Sequence, residues 1–230
     1  MGTLETDELI LDLDAHELTV KEGITSLHLE PFNDGLVYEN EQEGRIMEYL
    51  SKRDLGSHIK VILPQSLVEI QEHCVYGSYA TSEVEVPPNS KLKYIRKEAF
   101  SGSGLSKINL ENSCVEIIGE SSFENTFLEK ITFPMTLKTI DTFAFYGSES
   151  LVELIFPHSL ETLGNQVFAG CIALASMDLS HTRVIRIPMS CFSESGIETI
   201  LLPPILEEIG DEAVSDCHSL AELEIPPRVT

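Results

Sequence analysis

Acid–base and metal chemistry need carboxylates, imidazoles and thiols brought together. This chain of 230 residues holds 38 aspartates and glutamates, 7 histidines and 5 cysteines. Two carboxylates facing each other across a cleft would serve glycoside hydrolysis, one donating a proton and the other acting as base or nucleophile. Cysteines and histidines at short spacings would hold zinc. Neither pattern is met. The carboxylates are spread along the whole chain and no pair stands out by spacing. The histidines keep no common register, and His73-Cys74 and Cys217-His218 are adjacent pairs rather than the spaced pairs of a zinc site. Gly-x-Ser-x-Gly, a phosphate-binding glycine loop and His-Glu-x-x-His are all absent. The sequence thus predicts no catalytic residues, no metal, no cofactor and a non-enzymatic protein.

What the residues do carry is a period. The pattern aliphatic-x-aliphatic-Pro begins at Val61, Val84, Ile108, Ile131, Leu154, Met177, Ile200 and Leu223, in six steps of 23 residues and one of 24. A single globular core has no reason to hold that register, whereas a stack of equivalent units must present the same apolar row to each neighbour. In 151–173, Leu154 and Phe156 alternate with Glu153 and Ile155 as in a strand, and Pro157 ends it. A small polar residue follows two places on: Ser66, Asn89, Ser113, Thr136, Ser159 and Thr182. Such side chains bond turn backbone that would otherwise be unpaired. Next come an aliphatic column, Ile70, Ile95, Ile118, Ile140, Leu163, Ile187 and Ile209, and a bulky column, Val75, Phe100, Phe123, Phe145, Phe168, Phe192 and Val214. The segment between them reads as one or two turns of helix or 3₁₀ helix, ended by Gly or Ser.

The run Leu-x-x-Ile-x-Phe-Pro-x-x-Leu-x-x-Ile-x-x-x-Ala-Phe of 128–145 resembles the BspA-like subclass of leucine-rich repeats, as do 206–213 and Phe-Ala-Gly-Cys at 168–171. The resemblance covers about residues 58–230. It implies an α/β fold: a right-handed, horseshoe-like solenoid with a parallel sheet on the concave face and short helical or 3₁₀ segments on the convex side. It also implies a cell-surface or secreted adhesin that binds a host or matrix protein. Glu111 and Ser180 interrupt the proline column, and Val214 ends the bulky one.

Residues 1–57 do not keep the period and read as an N-terminal cap with a degenerate repeat; residues 58–230 read as about seven full units and a partial eighth. Leu9-Ile-Leu-Asp-Leu and the run Ile24 to Pro31 are expected strands, the latter like a strand-Pro unit headed by Leu27. Ile46, Met47 and Leu50 suit a short amphipathic helix. The N-terminus is acidic, without the basic and apolar stretches of a secretory signal. The chain stops part-way through a unit, so we expect that the protein continues, or that a partner or second copy covers this end in end-to-end association.

Cys74 and Cys191 stand in a small-residue column with Ala99, Ser122, Ala144, Val167 and Ala213, so they read as packed thiols. Cys171 and Cys217 lie two units apart, about 10 Å at the usual strand spacing, too far for a disulfide. Net charge is −23, which disfavours nucleic acid and anionic membrane as partners, and no stretch is long and apolar enough to insert in a bilayer. Lys91, Lys93, Arg96, Lys97 and Lys107 cluster, while Arg186 to Arg228 enclose no lysine or arginine. Function should therefore lie on the concave sheet, where the expected ligand-binding residues are Lys60, Ile62, Lys107, Asn109, Lys130, Thr132, Glu153, Ile155, Asp178, Thr199 and Leu201, joined in their columns by Glu83, Glu85, Ser176, Glu222 and Glu224. An intracellular scaffold is the alternative, favoured by free thiols and by the absence of Asn-x-Ser/Thr.

Overall fold

The structure is a computed structural model that describes residues 3–29, 50 and 58–229. The chain is a parallel β-solenoid of about seven turns. Three strands, β1 (Thr3–Glu5), β2 (Leu9–Asp12) and β3 (Glu17–Val20), form an antiparallel meander with Leu4, Leu9, Leu11, Leu18 and Val20 turned inward. Asp12 fixes the β2–β3 turn, its Oδ1 accepting the N–H groups of Asp14 and Ala15 at 2.9 Å each. From β3 onward the strands are parallel and fall into two ladders.

The first ladder runs through β3, β5 (Ile59–Ile62), β7 (Thr81–Glu85), β9 (Lys107–Ile108), β11 (Lys130–Thr132), β13 (Glu153–Ile155), β15 (Ser176–Asp178) and β17 (Thr199–Leu201). The residues that set the period pair with one another: Val61 with Val84, Val84 with Ile108, Ile131 with Leu154 and Met177 with Ile200. Two expectations need correction at the ends. Leu18 of β3, not Leu27, pairs with Val61 and opens this ladder. At the other end Leu223 is half-buried but lies in no strand.

The aliphatic column is itself a second ladder, a feature the period had left as packing alone. Its strands are β4 (Ser26–Leu27), β6 (Glu69–Ile70), β8 (Tyr94–Ile95), β10 (Ile117–Ile118), β12 (Thr139–Ile140), β14 (Thr162–Leu163), β16 (Arg186–Ile187) and β18 (Glu208–Ile209). Leu27 pairs here with Ile70, and the column continues through Ile95, Ile118, Ile140 and Leu163. The amphipathic segment at Ile46 and Met47 lies outside the described residues; Leu50 is buried and its carbonyl accepts the Ser78 hydroxyl at 2.8 Å.

The expected helical or 3₁₀ segment after the second ladder is not formed; each is a chain of turns. The reason is where the amides go. Ser121, Phe123 and Asn125 donate to Thr142, Ala144 and Tyr146 of the next coil at 2.8–2.9 Å, while Ser122 and Glu124 close three-residue turns on Gly119 and Ser121 at 3.2 Å. Half of the donors are thus aimed along the solenoid axis rather than up a helix. Two left-handed residues per turn complete the exclusion: His73 and Gly77, Glu98 and Gly102, Ser121 and Asn125, Phe143 and Gly147, Gln166 and Gly170.

Inside, Phe100, Phe123, Phe145, Phe168 and Phe192 form one continuous stack, with ring centroids 5.2–5.8 Å apart and planes within 14°. Phe133 and Phe156 stack beside it and meet it edge-on. A second buried column of small polar groups was not foreseen. Ser148 Oγ, Cys171 Sγ and Cys217 Sγ donate to the carbonyls of Phe123, Phe145 and Phe192, one unit back, at 2.8, 3.1 and 2.9 Å. They give each of these buried carbonyls a second donor, beside the Thr126 hydroxyl, the Ser148 N–H and the Ser195 N–H.

Successive coils are not identical. Gly119, Gly164 and Gly210 follow the second-ladder strand in every other unit, where Arg96, Asp141 and Pro188 stand in the units between. A Cβ on Gly119 would lie 2.8 Å from the Arg96 carbonyl carbon, on Gly164 2.1 Å from the Thr142 nitrogen, and on Gly210 2.7 Å from the Met189 nitrogen. At these three coils the close approach of the neighbouring backbone leaves no room for a side chain, whereas the first coils carry Gln71 and Arg96 in succession.

Phe145→Ala removes the centre of the aromatic stack and should destabilise the fold by roughly 3–5 kcal/mol in urea denaturation. A loss under about 1 kcal/mol would show that the column does not behave as core. The thiols give a second check. Cys74, Cys171, Cys191 and Cys217 are buried, and Cys114 is exposed and free. Burial pushes the Cys171 thiol up to about 12 and Cys191 well above its ordinary value. A native-state thiol titration with a disulfide reagent should therefore count one reactive group, Cys114, and five only after unfolding.

Candidate functional site

The outward positions of the first ladder form two side-chain columns, and pairing places the expected residues in them. Lys60 stands beside Glu83 and Glu83 beside Lys107; Lys130 beside Glu153; Ser176 beside Thr199. In the neighbouring column Ile62 stands beside Glu85, Thr132 beside Ile155, and Asp178 beside Leu201. The strand period of two turns these side chains away from the core while Val61, Val84, Ile108, Ile131, Met177 and Ile200 point into it.

The two halves of this face differ electrostatically. Towards the N-terminal side its charges are used up between coils. Lys60 pairs with Glu85, whose carboxylate holds the ammonium above its ordinary pKa, and Lys107 pairs with Glu83 at 2.9 Å. The basic cluster is consumed in the same way. Lys93, Arg96 and Lys97 reach Glu116, Glu69 and Glu120 of adjacent coils at 3.3, 2.7 and 2.9 Å. These pairs tie neighbouring coils together and leave little free positive charge. Being solvent-exposed, each contributes little to stability. Lys130 has no ion-pair partner among the described residues.

Towards the C-terminal side the face turns apolar. Ile155 is 54 % exposed and Leu201 56 %, with Glu153, Thr199 and Ser176 exposed beside them. Two grooves open on the face. One of about 370 Å³ is lined by Lys107, Asn109, Lys130 and Thr132 between β9 and β11. The other, of about 480 Å³, is lined by Thr199, Leu201, Glu222, Glu224 and Ile225. Ile225, 59 % exposed, is a residue the sequence reading passed over. Its signal was present: it stands one place before Pro226, where other units bury Leu63, Phe133 or Phe156.

Two of the expected ligand-binding residues also have a local task. Proline ends the strand in most units and has no N–H. Where Glu111 and Ser180 replace it, an amide appears, and the residue two places earlier accepts it. Asn109 Oδ1 takes the Glu111 N–H and Asp178 Oδ1 the Ser180 N–H, both at 2.9 Å. Asp178 also accepts the Ser180 hydroxyl at 2.6 Å. This hydroxyl and amide hold the Asp178 carboxyl below its ordinary range, against a small opposing effect of burial. Asn and Asp here repair a missing proline.

No group of three or more histidine, cysteine, aspartate or glutamate side chains could hold a metal ion among the described residues. A family model for the BspA type leucine rich repeat region matches this chain in 6 copies, over residues 53–126 and 116–230. The chain belongs to that family. BspA-type leucine-rich repeats typically act as protein-interaction modules without catalysis. No curated protein matches the chain. Among solved structures, a T. pallidum leucine rich repeat protein shares 21% identity over 94% of this chain and 88% of its own, with a TM-score of 0.52. A leucine rich cell surface protein from Faecalibacterium prausnitzii shares 14% over 100% of this chain and 84% of its own, with a TM-score of 0.39. The first likeness supports the leucine-rich-repeat fold.

The turn role of Asp178 has a signed pH dependence. A folded-state pKa below the unfolded one gives stability that is present above the unfolded value and lost as pH falls through the folded one. Asp178→Ala should therefore destabilise by about 0.5–1 kcal/mol at pH 7, the worth of an exposed turn bond, and by less near pH 2. Asp178→Asn, which copies the arrangement of Asn109, should stay close to wild type at pH 7. Urea midpoints of the three proteins at the two pH values check this; an Ala variant equal to wild type at pH 7 removes the cap.

Proposed function

We propose that this BspA-type array binds a protein ligand through the outward face of its first ladder and does so at the cell surface or after secretion. In this reading residues 1–57 serve as an N-terminal cap, and the following coils hold the binding face rigid. The observation that carries the proposal is the pair Ile155 and Leu201. Each is more than half exposed on a face where Lys60 and Lys107 are neutralised by Glu85 and Glu83. Apolar side chains on a stiff, polar surface are efficient anchors, because little ordering remains to be done on binding. Display outside the cell rests on membership of the family and on what the sequence resemblance implies. An intracellular scaffold is the second reading, favoured by the exposed free thiol of Cys114 and the lack of an Asn-x-Ser/Thr acceptor. The net charge of −23 points either version towards protein rather than nucleic acid.

Photo-crosslinking residues placed at Thr132 or Ser176, on the first-ladder face, should trap a specific protein in cells of the source organism or in contact with its surroundings. The same group at Glu124 or Tyr146, on the turns, should not. Ile155→Glu with Leu201→Glu should weaken the trapped complex about tenfold or more. Crosslinks confined to the turn positions would move the binding face. Protease shaving of intact cells separates the two locations: loss of the protein on shaving places it outside, and protection until permeabilisation places it inside.

A further inference from the structure

The loops that carry the chain from the buried corner of Thr126, Ser148 and Cys171 into the first ladder form an edge of their own. Glu129, Val152, Ala175 and Glu198 hold one register there, each directly after a buried Leu128, Leu151, Leu174 or Ile197, and all four are exposed. Val152 donates to the Glu129 carbonyl at 2.7 Å and Glu198 to that of Ala175 at 2.8 Å. Phe127 and Ile172 stand beside this row, in the coils before and after Val152. Phe127, Val152 and Ile172 are 48, 54 and 59 % exposed.

The fold does not call for these side chains. Phe127 takes the place of Gly104 and Gly196, directly before the buried aliphatic residue. A Cβ on either glycine would run into the carbonyl of Tyr79 or Ile172. Those carbonyls belong to loops that close a turn, Thr81 on Ser78 and Leu174 on Cys171; the loop before Phe127 closes no such turn and leaves room. Val152 stands where other coils have Ser82 and Ser106, and Ile172 where the coil before has Glu149. The charge around the three has one sign. Segments 124–129, 147–153, 170–176 and 193–199 contain no lysine or arginine, and the next cation, Lys130, belongs to the first-ladder column. Exposed Glu129, Glu149 and Glu198 have no ion-pair partner among the described residues. The amides of Phe127, Val152 and Ile172 are all taken, by the carbonyls of Leu105, Glu129 and Gly170. A partner therefore cannot add to them as a strand and must bring its own backbone satisfied, as a helix does. Seven residues of helix rise about 10 Å, and so do two coil spacings.

We propose that this edge docks a basic amphipathic helix of a partner protein, laid along the solenoid axis over three coils. Apolar side chains at i, i+4 and i+7 of the helix meet Phe127, Val152 and Ile172. Lysine or arginine side chains flanking that stripe meet Glu129, Glu149 and Glu198. Apolar anchors at this spacing are how a helix is held by a surface, and the unpaired carboxylates set the sign of its polar flanks. The edge is separate from the first-ladder columns, so the proposal goes beyond the reading above and gives the array a second contact with its own ligand chemistry.

The test uses the full chain and a fluorescein-labelled, alanine-based helical peptide with leucine at i, i+4 and i+7 and lysine on either side, followed by fluorescence anisotropy. A shuffled peptide whose leucines share no face, and one with glutamate for lysine, serve as comparisons. The first should bind, and the other two at least about tenfold more weakly. Phe127→Gly, Val152→Ser and Ile172→Glu each copy the equivalent residue of another coil. Together they should weaken binding about tenfold or more, although they add a carboxylate. An unchanged urea midpoint confirms that the triple variant folds; if Phe127→Gly lowers it, Val152→Ser with Ile172→Glu is used instead. Glu129→Gln with Glu198→Gln should flatten the salt dependence. Met135→Ser, exposed on the bend after β11, should leave binding within about twofold. Absence of binding, equal binding of the shuffled peptide, or binding unmoved by the edge variants overturns the proposal. So does concentration-dependent dimerisation lost in the triple variant, which would assign the edge to a second copy. Crosslinks at Thr132 or Ser176 with no peptide binding would sink the edge and leave the first-ladder face intact; peptide binding with no crosslinks on that face would do the reverse.

Discussion

The structure depends on one arrangement: each coil satisfies its backbone against the next. In both ladders, and in the turns between them, amides and carbonyls reach across the strand-to-strand distance to the neighbouring unit. This explains why the turns refuse to be helices. A helix closes its hydrogen bonds on itself and would give the coil nothing to stack on. Left-handed residues at Ser121 and Asn125, or Gln166 and Gly170, turn alternate amides outwards along the axis. The phenylalanine stack and the column of Ser148, Cys171 and Cys217 then fill and satisfy the interior that this stacking encloses.

A stack held this way needs no help from its surface, so the surface is available for other uses. The molecule uses it unevenly. From β5 to β9 the outward charges bind coil to coil, Lys60 to Glu85 and Lys107 to Glu83, and little is left to meet a ligand. From β13 onward the lysine and arginine pairs among the described residues, Arg183 with Glu161 and Arg186 with Glu208, lie at the second ladder, and on the first-ladder face Ile155, Leu201 and Ile225 come to the surface. Lys93, Arg96, Lys97 and Lys107 of the basic cluster are staples, because each falls one unit away from a glutamate. The exposed aliphatics lie where such pairs are missing from the first-ladder face.

The first ladder, the bulky column and the buried thiols were legible because each depends on a residue type recurring at fixed spacing. Val61, Val84 and Ile108, Ile131 and Leu154, and Met177 and Ile200 pair as the period required. The second ladder was legible only as apolar residues, since strands of two residues, such as Ile117–Ile118, are too short to show alternation. The turns were misread as helical because length and termination suit one. What decides against it is the direction of the amides, which no propensity encodes and which the left-handed conformations of Phe143 and Glu98 do not announce. Leu27 was assigned to the wrong ladder because both ladders place an aliphatic residue at the strand centre, and only pairing with Ile70 distinguishes them. The columns of the candidate face followed from strand period, but the assignment of Asn109 and Asp178 as ligand-binding residues did not foresee their turn bonds. The information was there, in the coincidence of Asn and Asp with the two absent prolines.

The alternation of Gly119, Gly164 and Gly210 with Arg96, Asp141 and Pro188 sets the grain size at which such a protein can lengthen or shorten. Excising one coil within 96–210 would break this alternation, while excising two adjacent coils would keep it. Losses of about 46 residues therefore preserve the packing pattern there, whereas the first coils, with Gln71 beside Arg96, carry side chains in succession and hold no such grain.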